Sequence, residues 1–215
     1  MTNEPQLSQN ILPIVVLVSG NGSNLQAIID AIASGKLHAQ IRLVISNKPN
    51  AYAIRRAQKA NIPVVTISHL DFTTREQFDS VLVQTIHSTL RADAAHAIVV
   101  LAGFMRILSS TFLNQFQRRI INIHPSLLPQ FRGMHAITQA LETHATKTGC
   151  TIHIVTSEVD AGPILGQQEV HIFETDTPET LRARIQKQEH QLLVKTLHKI
   201  QIGVFDLLLY PTPIA

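Results

Sequence analysis

Asn122 and His124 stand two residues apart in Ile120-Ile121-Asn122-Ile123-His124-Pro125-Ser126-Leu127-Leu128-Pro129, an amide and an imidazole inside an otherwise apolar run. Side chains alternate across a strand, so the two point to the same face. Pro125 cannot donate to a sheet ladder and tends to end it. The pair therefore sits where a strand gives way to a loop, and open α/β sheets bind their ligands beyond the carboxyl ends of strands. Taken singly, Asn122 reads as a loop cap and His124 as a core histidine; the chemistry lies in the pair. A third partner is needed, and Asp160 in Glu158-Val159-Asp160-Ala161-Gly162-Pro163, a loop directly after a strand-like run, is the candidate. That loop is expected to leave the same sheet edge as His124. A carboxylate near an imidazole favours the protonated ring and raises its pKa. An imidazolium beside an amide donor suits an oxyanion forming on a carbonyl carbon. This is acyl-transfer equipment without a built-in nucleophile.

Other chemistries find less support. Ser126 follows Pro125 in a loop and no GxSxG elbow surrounds it. The single cysteine, Cys150, lies in an apolar strand-like run and reads as a small core residue. One cysteine also excludes a disulfide framework and fits a reducing cytoplasm. There are eleven histidines but no HExxH and no cysteine spacing, so no metal is expected. His135 and His153 are the histidines placed to lie near Asn122 and His124.

A second chemical element is Ser19-Gly20-Asn21-Gly22-Ser23-Asn24, between an apolar strand and a helical pattern. It is a poor dinucleotide fingerprint: the third glycine is missing, and the next strand ends in Ser46-Asn47-Lys48 with no acidic residue for a ribose diol. No GxxxxGK[ST] exists. Two readings stay open, a cradle in which backbone N–H groups at a helix N-terminus bind one phosphate, and a tight turn that needs glycine and a cap for folding alone.

The elements that must position these groups alternate. Ile14 to Val18, Ile41 to Ser46, Val64 to Ile67, Ala97 to Ala102 and the Ile120 run read as strands, most of them continuously apolar as in a buried parallel sheet. Helical patterns separate them: one opened by a Ser23–Gln26 capping box and stopped near Gly35, one over Ala51 to Ala60, one opened by Thr73–Glu76 carrying Phe78, Leu82 and Ile86, and one over Ser109 to Phe116. The pattern predicts an α/β fold with a doubly wound, mostly parallel sheet. After a helix over Ile137 to Thr146, the runs Cys150 to Thr156 and Ile164 to Ile172 have only a short connection and are expected to pair antiparallel. Thr177-Pro178 opens a long last helix with Leu181, Ile185, Leu192 and Leu197 on its apolar stripe.

The 215 residues fit one domain, with a polar N-terminal tail over 1–12 and a C-terminal tail over 203–215. A net charge of +3 with scattered basic residues accommodates anionic substrates without arguing for nucleic acid. The apolar run from Ile11 to Val18 is too short for a membrane span, and no signal peptide precedes it, so a cytoplasmic protein with no membrane partner is expected.

Four stretches in order, Ser19 to Gln26, Val100-Leu101-Ala102-Gly103-Phe104-Met105-Arg106-Ile107-Leu108-Ser109, Asn122 to Pro129 and Asp160-Ala161-Gly162-Pro163, make the chain similar to the folate-dependent phosphoribosylglycinamide formyltransferases from about Ile14 to about Ile200. The resemblance implies transfer of a formyl group from 10-formyltetrahydrofolate, as co-substrate, to the amine of phosphoribosylglycinamide, in a monomer or homodimer acting on small molecules. It implies that Gly22, Ser23, Asn24 and Glu189 hold the ribonucleotide. Arg75, Met105, Arg106, Ile107, Leu108 and Asn122 would contact the folate, the 105–108 backbone reading the pterin edge. Asn122 and His124 would polarise the formyl oxygen, with His124 as proton donor and Asp160 keeping it protonated and relaying the amine proton. Ala161 departs from the glycine expected there. The related formyltetrahydrofolate deformylases, hydrolases of the same cofactor, are the alternative; they carry an extra N-terminal domain and tend to differ at Pro125.

Overall fold

The computed structural model describes residues 11–210; the polar segment before Ile11 and the last five residues lie outside them. A seven-stranded sheet has the order β3-β2-β1-β4-β5-β6-β7. The strands are β1 (Leu12–Val18), β2 (Ala39–Ser46), β3 (Val64–Thr66), β4 (Ile98–Leu101), β5 (Ile120–His124), β6 (Lys147–Ile154) and β7 (Ile164–His171). β1 to β5 pair in parallel, whereas β6 is antiparallel to both β5 and β7. The expected antiparallel pair is therefore present, and the change of direction already begins at β5.

Among the described residues six α-helices cover the sheet: α1 (Ser23–Ala33), α2 (Tyr52–Lys59), α3 (Arg75–Leu90), α4 (Ser110–Gln115), α5 (Ala136–Glu142) and α6 (Pro178–Gln201). Alternation along β1 sorts the two layers. Ile14, Val16 and Val18 pack with Leu25 and Ile28 of α1 and Leu193 and Leu197 of α6. Val15 and Leu17 pack with Phe78, Leu82 and Ile86 of α3 and Phe112 of α4. Burial on both faces is why the strands read as unbroken apolar runs. No helix among the described residues is long and apolar enough to cross a membrane.

Local signals held with small displacements. The capping box of α3 is Thr74 with Gln77, one residue later than Thr73 with Glu76, since Gln77 takes the reciprocal bonds. α1 has no box at Ser23–Gln26: Ser23 is already helical, Gly22 is the N-cap at φ 75°, and Gln26 bonds forward to Asp30. On α6 the third apolar position is Leu193, fully buried, rather than the half-buried Leu192. Cys150 is buried in the packing of β6, with Ile137, Leu181 and Ile185, and burial pushes its thiol up to about 12, so it is the inert core residue expected. The tail after Gly203 turns back onto the core through Leu207.

Candidate active site

Two cavities open at the carboxyl ends of β1, β4 and β5. The first, about 380 Å³, is walled by Ser19 to Asn24, Lys48, and a face of α6 formed by Arg182, Ile185, Gln186 and Glu189. The second, about 330 Å³, is walled by Leu101, the segment 103–108, Asn122, His124, His153, Val155, Thr156 and the loop residues Glu158, Val159 and Asp160. Gly103, Met105, Ile123, Pro125 and Arg182 belong to both, so the cavities share a wall.

The first cavity is built on the N-terminus of α1. Gly22 adopts the left-handed conformation, which glycine tolerates without a Cβ penalty, and its carbonyl accepts the first helical bond from Gln26. A Cβ there would meet Ala53 Cβ of α2 at 2.6 Å. A side chain at 22 thus strikes α2 before it can crowd a ligand. Arg56 of α2 braces the turn from outside, donating to the Asn21 carbonyl and side chain, each at 2.9 Å. Gly22→Val is expected to lower stability by roughly 2–4 kcal/mol, combining left-handed strain with overpacking. Equilibrium urea unfolding checks this, and an unchanged midpoint would contradict it.

Glu189 sits inside the apolar stripe of α6, flanked by Ile185 and Leu193, and is 7% exposed. Its Oε2 accepts from Asn24 Nδ2 at 3.0 Å, closing the deep end of the cavity. Burial pushes its carboxyl up; the Asn24 amide offsets only part of this.

The second cavity holds the polar cluster. Asn122 and His124 share a face of β5, and strand pairing places His153 directly opposite Asn122. Because β6 runs antiparallel to β5, its end leaves toward the start of β5, with Ile154 opposite Ile121. The expectation that the Asp160 loop leaves beside His124 is corrected: the loop folds back over the sheet face to reach it. Gly162 permits that path, since a Cβ there would overlap the Ile154 carbonyl. Asp160 lies at φ 51° and accepts from the Gly133 N–H at 2.9 Å. Its Oδ2 is 3.3 Å from His124 Nδ1, and its Oδ1 is 3.4 Å from both Asn122 Nδ2 and His153 Nε2. Burial alone would raise this carboxyl, but His153, the Gly133 N–H and His124 together hold it below the usual carboxylate range.

His124 Nε2 faces the Phe131 carbonyl at 2.8 Å; a carbonyl only accepts, so Nε2 carries a proton. The ring is 5% exposed. Burial is the largest influence on it and moves its pKa below the ordinary 6.5; the Phe131 carbonyl and Asp160 pull upward without reversing the shift. Burial thus works against the ion pair, while both ring nitrogens face acceptors, Nε2 the Phe131 carbonyl and Nδ1 the Asp160 carboxylate.

Of the residues singled out in the sequence, Gly22, Ser23, Asn24 and Glu189 line the first cavity, and Met105, Arg106, Ile107, Leu108, Asn122, His124 and Asp160 the second. Arg75 lines neither. It is exposed on the first turn of α3, which Thr74 caps so that position 75 faces outward. His135 is exposed at the start of α5 and also lines neither. Ser126 is buried, and its hydroxyl donates to the Gln130 carbonyl, so it serves the loop rather than attack. Sequence reasoning missed Lys48, Arg182 and Gln186. Lys48 could have been found as the cation beyond the end of β2, and Gln186 and Arg182 as the positions one and two turns, respectively, before Glu189 on one helix face.

Residues 12–197 match the family model described as formyl transferase. The chain belongs to that family. It is 45% identical over 179 residues to the phosphoribosylglycinamide formyltransferase of Escherichia coli, covering 83% of this chain and 82% of that protein. It is 40% identical over 200 residues to the enzyme of the same name from Haemophilus influenzae, covering 92% of each. It also matches the trifunctional purine biosynthetic protein adenosine-3 of Drosophila melanogaster at 43% identity over 93% of this chain, but spans only 15% of that protein. Among solved structures, glycinamide ribonucleotide transformylase 1 from Symbiobacterium toebii superimposes with a TM-score of 0.86 at 38% identity, over 94% of this chain and 92% of that one.

Proposed function

We propose that this single-domain chain transfers the formyl group of 10-formyltetrahydrofolate to the amine of 5-phosphoribosylglycinamide. The observation that carries the reading is the shared wall: an anion cradle and a largely apolar cleft meet at one cluster of amide, imidazole and carboxylate. The N-terminus of α1, with Gly22, Ser23 and Asn24, takes the phosphate, and Lys48 adds positive charge. Glu189, fixed by Asn24, accepts hydrogen bonds from the ribose hydroxyls. The folate heterocycle lies in the cleft against Met105 to Leu108.

The reaction forms a bond between the glycinamide nitrogen and the formyl carbon and breaks the bond from that carbon to N10 of the folate. The amine loses one proton and N10 gains one. Holding the two reactants in one orientation contributes roughly 7–11 kcal/mol toward the barrier. As the amine attacks, negative charge grows on the formyl oxygen, where Asn122 and the Nδ1–H of His124, the ring nitrogen on the Asp160 side, donate to it while Nε2–H stays on the Phe131 carbonyl. The amine turns cationic at the same moment. Asp160, held ionised, takes the amine proton while the Nδ1 proton of His124 goes to the leaving N10, and the proton on Asp160 then returns to Nδ1, which it faces at 3.3 Å.

The test is an assay of folate product release with the ribonucleotide present and absent. Release that requires the nucleotide is the expected result. Formate produced at the same rate without the nucleotide would transfer the assignment to a hydrolase.

A further inference from the structure

Asp79 is a fully buried carboxylate that the mechanism above does not use. It lies on α3 at the level of α4, in the layer that holds Phe78, Leu82, Phe104, Leu108 and Phe112. Its Oδ2 accepts the backbone N–H of Ser109 at 2.5 Å. Ser109 is the N-cap of α4, provides no cap bond from its own side chain, and directly follows Leu108. Burying a carboxylate is costly unless a partner holds it, and burial pushes this one up, with Ser109 offsetting only part.

The segment that Asp79 touches has little else to shape it. Among the described residues, none of Phe104 to Leu108 makes a backbone–backbone hydrogen bond. Two side chains pin its ends. Ser19 Oγ accepts the Met105 N–H at 2.8 Å while donating to Asn47 Oδ1 at 2.6 Å, and Asp79 holds the other end through Ser109. Between the pins, Phe104 and Leu108 turn into the core, whereas Met105 and Ile107 are 55% and 54% exposed. The backbone groups between them are free for the edge of a flat heterocycle.

We propose that Asp79 is a positioning residue for the formyl donor, fixing the end of the 104–108 segment so that its free backbone groups meet the heterocycle. The inference rests on the reading that the second cavity takes the folate. An aspartate spent on a backbone N–H in an apolar layer has no stabilising advantage over a hydrophobic side chain; setting the path of the cavity wall is the role its bond performs.

The experiment uses the full chain and a non-reactive 10-formylfolate analogue, followed by calorimetry, with steady-state kinetics for both substrates. Asp79→Leu keeps the bulk and removes the acceptor. Its analogue Kd and formyl-donor KM are expected to rise about tenfold or more, the loss of one charge-assisted bond, with the ribonucleotide KM within about twofold. Ser109→Pro deletes the N–H from the other side at a φ of −81° that proline accepts, and should give the same donor-selective loss. An unchanged donor KM in both variants, or equal loss for both substrates tracking a lowered Tm, would overturn the proposal. If the wild type itself binds no analogue, the cavity assignment fails and takes the proposal with it; wild-type binding with unaffected variants removes the positioning role alone.

Discussion

Replacing His124 by alanine is expected to lower kcat by roughly 10²–10⁴-fold, the usual range for a residue that moves a proton in the transition state. The KM for the ribonucleotide should stay within about threefold, because His124 lines the second cavity and not the first. Parallel loss of kcat and nucleotide affinity would make the ring a binding or folding residue. The same side chain predicts a stability trend. Its folded pKa lies below 6.5, so its contribution is fully present above about pH 6.5 and is lost as pH falls through the depressed folded value. His190, lowered by burial as well, acts in the same direction. Urea midpoints measured at pH 7.5 and 5.5 should fall for the wild type and fall less for His124→Ala. Identical falls would mean that burial does not lower the pKa of His124.

Asp160→Asn is expected to cost a similar factor in kcat for a different reason. Asparagine tolerates the φ of 51° and can still accept from the Gly133 N–H, so the loop keeps its path. What disappears is the charge that receives the amine proton and faces His124 at 3.3 Å. Because the carboxyl's folded pKa is lowered, its stabilising contribution is present above about pH 3.8 and lost as pH falls through the folded value. The variant should therefore show a flatter stability profile in that acid window. A kcat within threefold of wild type at neutral pH would remove Asp160 from the proton path.

Local signals carried most of this. Asn122 and His124 announce themselves because a period of two in an apolar strand leaves little room for polar residues on one face. Gly22 and Glu189 are legible for similar reasons, one by its turn and one by its motif. What stayed hidden depends on contacts between distant segments. The sequence offered His135 and His153 alike, and only the register of β6 against β5 brings His153 and not His135 into the cluster; Arg182 reaches both cavities only because α6 packs across the end of the sheet. The burial of His124 could not be read either. Asp160 alone argues for charge, and only the folded chain reveals how little water the ring retains. Asp79 looked like an ordinary helix residue until α4 was seen against it.

The order β1-β4-β5 puts two inter-strand steps between the α1 cradle and the polar cluster. Neighbouring strands lie about 4.8 Å apart, so the two centres are offset by roughly 10 Å across the sheet. A hydrogen-bonded ladder does not stretch to suit its guest. On the proposed reading the enzyme therefore gauges its acceptor by reach: a phosphorylated amine one or two bonds too short or too long can satisfy either end, but not both at once.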